Sequence, residues 1–173
     1  KICIVSLLFL ASFQVNSQNF DKWSLDLGAG IHQVGAPLSS GYAVNMLGQG
    51  SLGARYMFNE RFGLRLDLGY NKFKEESGSL PFSANYYRAT LEGVVNMGNI
   101  LKFQTWSKRL NLLAHGGLGI GILNTTAPVV SGNDNVVSLN FGLTPQYKIS
   151  DRIAVFADFS SFINFGQDNT FNG

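Results

Sequence analysis

From Trp23 to Ser161 the chain alternates. Seven stretches carry an apolar or small residue at every second position. They are Trp23, Leu25, Leu27, Ala29, Ile31; Leu52, Ala54, Tyr56, Phe58; Phe62, Leu64, Leu66, Leu68, Tyr70; and Tyr87, Ala89, Leu91, Gly93, Val95, Met97. After these come Leu112, Ala114, Gly116, Leu118, Ile120, Ile122; Val137, Leu139, Phe141, Leu143, Pro145, Tyr147; and Ile153, Val155, Ala157, Phe159, Ser161. None of these residues is charged. The opposite parity holds Asp26, Arg55, Arg65, Asp67, Arg88, Glu92, His115, Lys148 and Asp158. A period of two is the signature of a strand with two unlike faces. The pattern predicts strands over 23–34, 47–58, 62–73, 86–97, 110–122, 136–148 and 153–161. One face of the sheet is greasy and the other carries the charge.

Which face is inside follows from the rest of the chain. Lys1–Ser17 has a basic start, an apolar run from Ile2 to Phe13, and the small residues Val15 and Ser17 around a cut site. This predicts a cleaved secretory signal peptide, set aside from the fold. The run is shorter than the ~20 residues of a spanning helix. The single cysteine, Cys3, falls inside it, so the mature chain from Gln18 would contain no thiol and no disulfide. Charged residues make up 14% of the chain, against a usual ~25%. Aromatic residues make up 13% and there are 20 glycines. Without Lys1 the balance is 12 basic to 11 acidic residues, which offers nothing to nucleic acid. Few charges, many glycines and aromatics, and strands of ~9–11 residues or more predict a transmembrane antiparallel up-and-down β-barrel with its greasy face outward.

The connections alternate in length. Asn59–Arg61 and Ser150–Arg152 are tight turns, whereas Gly35–Met46, Lys74–Asn85, Asn124–Asn135 and the stretch from Ile163 are longer and polar. Outer-membrane barrels pair short periplasmic turns with long external loops. Gly98–Arg109 departs from this: it is a long periplasmic turn holding Phe103 and Trp106 beside Lys102, Lys108 and Arg109, and is expected along the membrane interface. Trp23, Tyr56, Phe58, Phe62 and Tyr147 fall at periplasmic strand ends, and Tyr70, Phe73, Tyr86 and Tyr87 at outer ends, as two aromatic girdles. Seven strands leave the ring open, with its last strand rising to the outside. The eighth is therefore expected to be missing from this chain, either because the chain is a fragment or because the closing strand comes from elsewhere.

Taken together, Gly53–Tyr70, Leu80-Pro81-Phe82, Asn85–Arg88, Gly93–Asn96 and Leu112–Gly117 resemble the N-terminal barrel of the OmpA family of outer-membrane proteins, in its Bacteroidota form. The resemblance covers residues 18–173. It implies an eight-stranded barrel, commonly followed by a periplasmic peptidoglycan-binding domain, and an interior salt-bridge network linked to gating of a small pore. This chain shows neither the eighth strand nor that domain, so contact with peptidoglycan is implied only through a domain not present here.

An eight-stranded barrel is just wide enough for side chains to fill it. Four cations (Arg55, Arg65, Arg88, Lys148) face four anions (Asp26, Asp67, Glu92, Asp158), with His115 among them. In a low dielectric they should pair, giving a polar plug. Gly117, Gly119 and Gly121 on the inward parity would leave room for large side chains opposite. His115-Gly116-Gly117-Leu118-Gly119 lacks the strand-then-helix context of a phosphate loop. Two histidines, His32 and His115, with no partner cysteine make a zinc site improbable. Glu92 and Asp67 share their face with Arg65 and Arg88, which favours ion pairing over acid–base chemistry. Ser138, Ser160 and His115 form no recognisable triad, and Pro145 should interrupt the sheet ladder. No catalytic residue, metal or cofactor is expected. Three functions fit: a structural barrel anchoring the envelope, a low-conductance gated porin, and an interaction subunit of a larger outer-membrane complex or a surface adhesin. Lipid and lipopolysaccharide are the expected surroundings, with other outer-membrane proteins as further partners. A soluble calycin-type carrier would put the greasy parity inside instead.

Overall fold

The computed structural model describes residues 3–15, 22–34, 47–74, 78, 83–126 and 131–166, with the backbone alone for 3–15. Eight strands form one ring: β1 Cys3–Val15, β2 Trp23–Val34, β3 Leu47–Met57, β4 Phe62–Lys74, β5 Ser83–Asn96, β6 Leu110–Thr126, β7 Ser131–Lys148 and β8 Ile153–Phe165. Each pairs antiparallel with its sequence neighbours, and β1 also pairs with β8, closing the barrel.

Register preserves parity across the seams. Leu66 lies opposite Ala54 on β3 and Leu91 on β5; Arg65 lies opposite Arg55 and Glu92. The apolar set therefore forms one continuous outer wall, in which Leu91 is 58% exposed and Leu25, Leu64, Leu118, Phe141 and Phe159 are likewise open. The charged parity is buried inside. This arrangement is the reverse of a soluble carrier, whose greasy face would line the interior. At the tight-turn end, buried Met57, Val94 and Leu113 form an apolar cluster.

The turns are held by local chemistry. The Asn59 carboxamide oxygen accepts from the amides of Arg61 (2.8 Å) and Phe62 (2.9 Å), an Asx turn that reverses the chain between β3 and β4. Ser150 Oγ accepts from the Arg152 amide between β7 and β8. The long β5–β6 connection contains a short helix, α1 (Met97–Ile100), and a 3-10 turn at Phe103–Thr105. Asn96 caps α1 by accepting from the Asn99 amide at 3.0 Å. Gly98 is buried where a Cβ would meet the Leu112 amide at 2.9 Å, so glycine is what lets α1 press against β6. Gly48, at φ +119°, is the extra residue where the β2–β3 register shifts between Gly30 and Ile31.

In the structure the seam between β2 and β8 is filled by Cys3–Val15, part of the segment read from sequence as a signal peptide. Two open edges would leave rows of backbone donors and acceptors unpaired, and a thirteen-residue apolar run satisfies both. The predicted loop Asn124–Asn135 is mostly ladder: β6 and β7 pair as far as Thr126 with Ser131. The β5 strand starts at Ser83, earlier than its apolar parity indicated. Pro145 behaves as expected, since β7–β8 pairing lapses at Thr144 and Pro145. Of the predicted loops Gly35–Met46, Lys74–Asn85 and the stretch from Ile163, residues 35–46, 75–77, 79–82 and 167–173 lie outside the described residues, while 83–85 belong to β5 and 163–165 to β8.

Candidate functional site

The inward parity converges on Arg65, a third of the way up β4. Its Nε donates to Glu92 Oε2 at 2.6 Å and its Nη1 to Asp158 Oδ2 at 3.1 Å. His115 sits between the same two carboxylates, with Nδ1 3.2 Å from Glu92 Oε2 and Nε2 3.2 Å from Asp158 Oδ1. Arg65 Nη2 also lies 3.0 Å from His115 Nδ1. Four elements, β4, β5, β6 and β8, thus meet in one cluster. Its remaining lone pairs are used: Glu92 Oε1 accepts from Thr90 Oγ1 at 3.0 Å and from Asn140 Nδ2, and Asp158 accepts from Ser160 Oγ and Thr144 Oγ1. Full satisfaction is what makes buried charge tolerable in a low dielectric.

Two further pairs flank the cluster and are looser. Arg55 Nη2 lies 3.6 Å from Asp26 Oδ1, and Arg88 Nη2 lies 3.6 Å from Asp67 Oδ1, both beyond hydrogen-bond length. Arg88 is held instead by Asn71 Oδ1, to which Nη1 donates at 2.7 Å, and by the Phe162 ring 4.2 Å below its Cζ. Among the described residues, Arg55 Nη1 and Arg88 Nε have no hydrogen-bond partner. Between the pairs lies a cavity of about 10 Å³, bordered by Asp26, Arg65, Asp67, Arg88, Phe156 and Phe162, with room for roughly one water. Glycines make the rest of the space. A Cβ at Gly69 would stand 2.5 Å from Arg88 Cζ, and one at Gly142 would stand 2.6 Å from His115 Nε2.

Eight of the nine predicted lumen residues are buried inside: Asp26, Arg55, Arg65, Asp67, Arg88, Glu92, His115 and Asp158. Lys148 is the correction. Its side chain is 46% exposed and pairs with Asp151 at 3.2 Å, because β7 ends there and the lysine clears the rim. Among the described residues the interior therefore sets three arginines against these four carboxylates, with a fifth, Asp134, buried at the far end of β7. The uncharged partners Asn71, Thr90, Asn140 and Thr144 were not singled out, and Ser160 only as a dismissed triad member, though each lies on the charged parity, which was the signal available. Asp134, buried at the far end of β7, was placed in a loop.

Of the predicted interfacial aromatics, Trp23, Phe58, Phe62, Tyr87, Trp106 and Tyr147 are exposed on the wall or rim, with Tyr56, Tyr70 and Phe103 half-buried beside them. Trp23 packs on Tyr56, and Tyr70 on Tyr87. Tyr86 is not in the girdle: it is 2% exposed and donates from its hydroxyl to Asn164 Oδ1 across the lumen. It neighbours Tyr87 in sequence and so must face the other way. Phe73 also turns inward, its ring 4.5 Å from His32.

A catalytic reading gains little. Ser160 Oγ comes within 3.5 Å of His115 Nε2, whose other nitrogen faces Glu92, an arrangement with triad-like order. The serine proton is committed to Asp158, and all of these groups are buried, with Arg65 hydrogen-bonded to both carboxylates.

A closed up-and-down ring with an apolar outer wall and a polar, ion-paired lumen is what a bilayer-spanning barrel requires. The family model for the outer membrane protein beta-barrel domain matches residues 3–173. The chain belongs to this family. Its setting is accordingly the outer membrane, with the wall against lipid. No curated protein matches. Among solved structures, the chain is similar to the crystal structure of Ail, the attachment invasion locus protein of Yersinia pestis, at 15% identity and TM-score 0.39, covering 95% of this chain and 96% of that one. The structure of Ail with the heparin analogue sucrose octasulfate matches at 14% identity and TM-score 0.28, covering 95% and 98%. The backbone structure of Ail in a phospholipid bilayer nanodisc matches at 12% identity and TM-score 0.32, covering 95% and 99%. At such TM-scores the family assignment stands on the family match.

Proposed function

We propose that the chain is a structural outer-membrane barrel whose packed lumen stiffens the wall and passes little or nothing. The observation that carries this reading is the buried Arg65–Glu92–Asp158–His115 cluster, with Met57, Val94 and Leu113 packed together on its tight-turn side. The resemblance to OmpA supports the finer reading that the barrel anchors the envelope, with peptidoglycan held by a domain of a longer protein. The loose Arg55–Asp26 and Arg88–Asp67 pairs favour a second reading, a gated narrow pore, because guanidiniums outside hydrogen-bond range exchange partners readily. In planar bilayers the barrel is expected to stay at background conductance, and Arg88→Glu or Glu92→Lys singly to leave it there. Discrete conductance steps produced by either reversal would replace the plug with the gate.

Lys1–Ser17 is, in this reading, an export signal. Each of the seven strands β2–β8 contributes at least one Asp, Glu, Arg or His to the lumen side, whereas the sequence Cys3–Val15 contains no Asp, Glu, Lys, Arg or His. Native protein from the outer-membrane fraction is expected to begin at Gln18 and to have an intact mass well above that of Gln18–Gly173. A native N-terminus at or before Cys3 would make β1 the true closing strand, and a mass equal to Gln18–Gly173 would remove the peptidoglycan anchor.

A further inference from the structure

The two rims of the barrel differ in charge. The rim with the tight turns carries Lys22, Arg61, Lys102, Lys108, Arg109, Lys148 and Arg152, all exposed. Against these seven cations the described residues there include two acids, Glu60 and Asp151, and both are engaged: Glu60 Oε2 accepts from Asn99 Nδ2 at 3.2 Å and Asp151 pairs with Lys148. At the other rim the described residues include two cations, Lys72 and Lys74, and the buried Asp134. Among the described residues the cations therefore concentrate in a belt around the tight-turn mouth.

The β5–β6 turn stands on that belt. It exposes Ile100, Leu101 and Trp106, the last 64% open, with the Trp106 ring braced against Phe103 at 5.0 Å between centroids. Lys102, Lys108 and Arg109 flank this apolar tip. The turn does not wave in solvent. Asn96 caps α1, Asn99 ties it to the β3–β4 turn through Glu60, and Gly98 seats it on β6. It is also continuous with the lipid-facing wall, since Arg109 Nη1 donates to the Tyr147 hydroxyl at 3.4 Å beside exposed Leu110 and Ile149. Apolar and aromatic side chains at the level of the headgroups, ringed by cations, have the chemistry of an anionic lipid surface.

We propose that this rim is a binding belt for the anionic headgroups of the phospholipid leaflet it faces, with the β5–β6 turn as its anchor. The proposal rests on the outer-membrane reading, which puts tight turns on the periplasmic side. A neutral interface would be served by the aromatics alone; the one-sided cations are what select a negative headgroup.

Trp23 and Trp106 are the two tryptophans. In a Trp23→Phe barrel reconstituted in vesicles, Trp106 reports its own lipid neighbours. Phosphatidylglycerol brominated near the headgroup is expected to quench Trp106 more than equally brominated phosphatidylcholine at the same mole fraction. That preference should fall by about fivefold for each cation removed in the series Lys102→Gln, Lys108→Gln, Arg109→Gln. A companion barrel with both tryptophans changed to Phe and Leu91→Trp as a mid-wall probe separates the two premises. If lipid brominated deep in its chains does not quench that probe, the membrane-spanning reading itself fails. If it does, and Trp106 is quenched equally by both headgroups, the belt proposal alone is overturned.

Discussion

Arg65→Met is expected to destabilise the folded barrel by about 3–5 kcal/mol, measured as unfolding by urea in lipid vesicles. The side chain is buried and neutralises Glu92 and Asp158 together, so its loss strands two buried carboxylates beside His115. Most of that cost comes from leaving charge unpaired, not from the worth of the pairs themselves, because desolvation offsets much of the attraction. The triple variant Arg65→Met, Glu92→Gln, Asp158→Asn should therefore recover most of the loss. A deficit below about 1 kcal/mol for Arg65→Met alone would mean that solvent screens the lumen as it does a surface ion pair. The packed-plug reading would then be untenable.

Leu91→Arg should be nearly as damaging, for the opposite reason. Leu91 projects from the wall midway between Tyr87 and Val95 on β5, in register with Leu66, which lies between the girdle residues Phe62 and Tyr70. A cation at the midplane of the apolar band costs about 2–4 kcal/mol, and near the interface about 0–1 kcal/mol. Leu101→Arg, at the rim beside Lys102, is the matched control and should be almost neutral. Equal tolerance of arginine at both positions in bilayers would show that Leu91 does not meet hydrocarbon, and the wall would need another environment.

Much of this was legible because a strand translates parity directly into side. Once Arg65 and Asp67 share a face, Leu64, Leu66 and Leu68 must share the other, and no packing detail can change that. The same rule also held Tyr86, Asn140 and Thr144 inside. Tyr86 was misplaced when residue type at a strand end was weighed above its parity. Lys148 failed differently: its parity was right, but the strand ends there, and a lysine at an end reaches water, where Asp151 meets it. Sequence pattern locates the sides of a strand better than its last turn, since β6 and β7 continue pairing through Asn124 and Asn133, residues that resemble a loop.

The sequence by itself determined the strand order, the greasy wall, the charged interior and the unusual turn between β5 and β6, because each follows from spacing along one chain. Only the tertiary structure decided which charges meet. Arg65 has Glu92 27 residues away and Asp158 93 residues away, and the choice among candidate partners is made by the stagger of strands around the ring. It also decided that Arg88 leans on Asn71 and Phe162 while keeping Asp67 at a distance, and that Gly69 on the neighbouring strand leaves the space for it. The closing of the seam by Cys3–Val15 is likewise a tertiary outcome, driven by the need of two strand edges to pair, a need that no local pattern in that segment encodes.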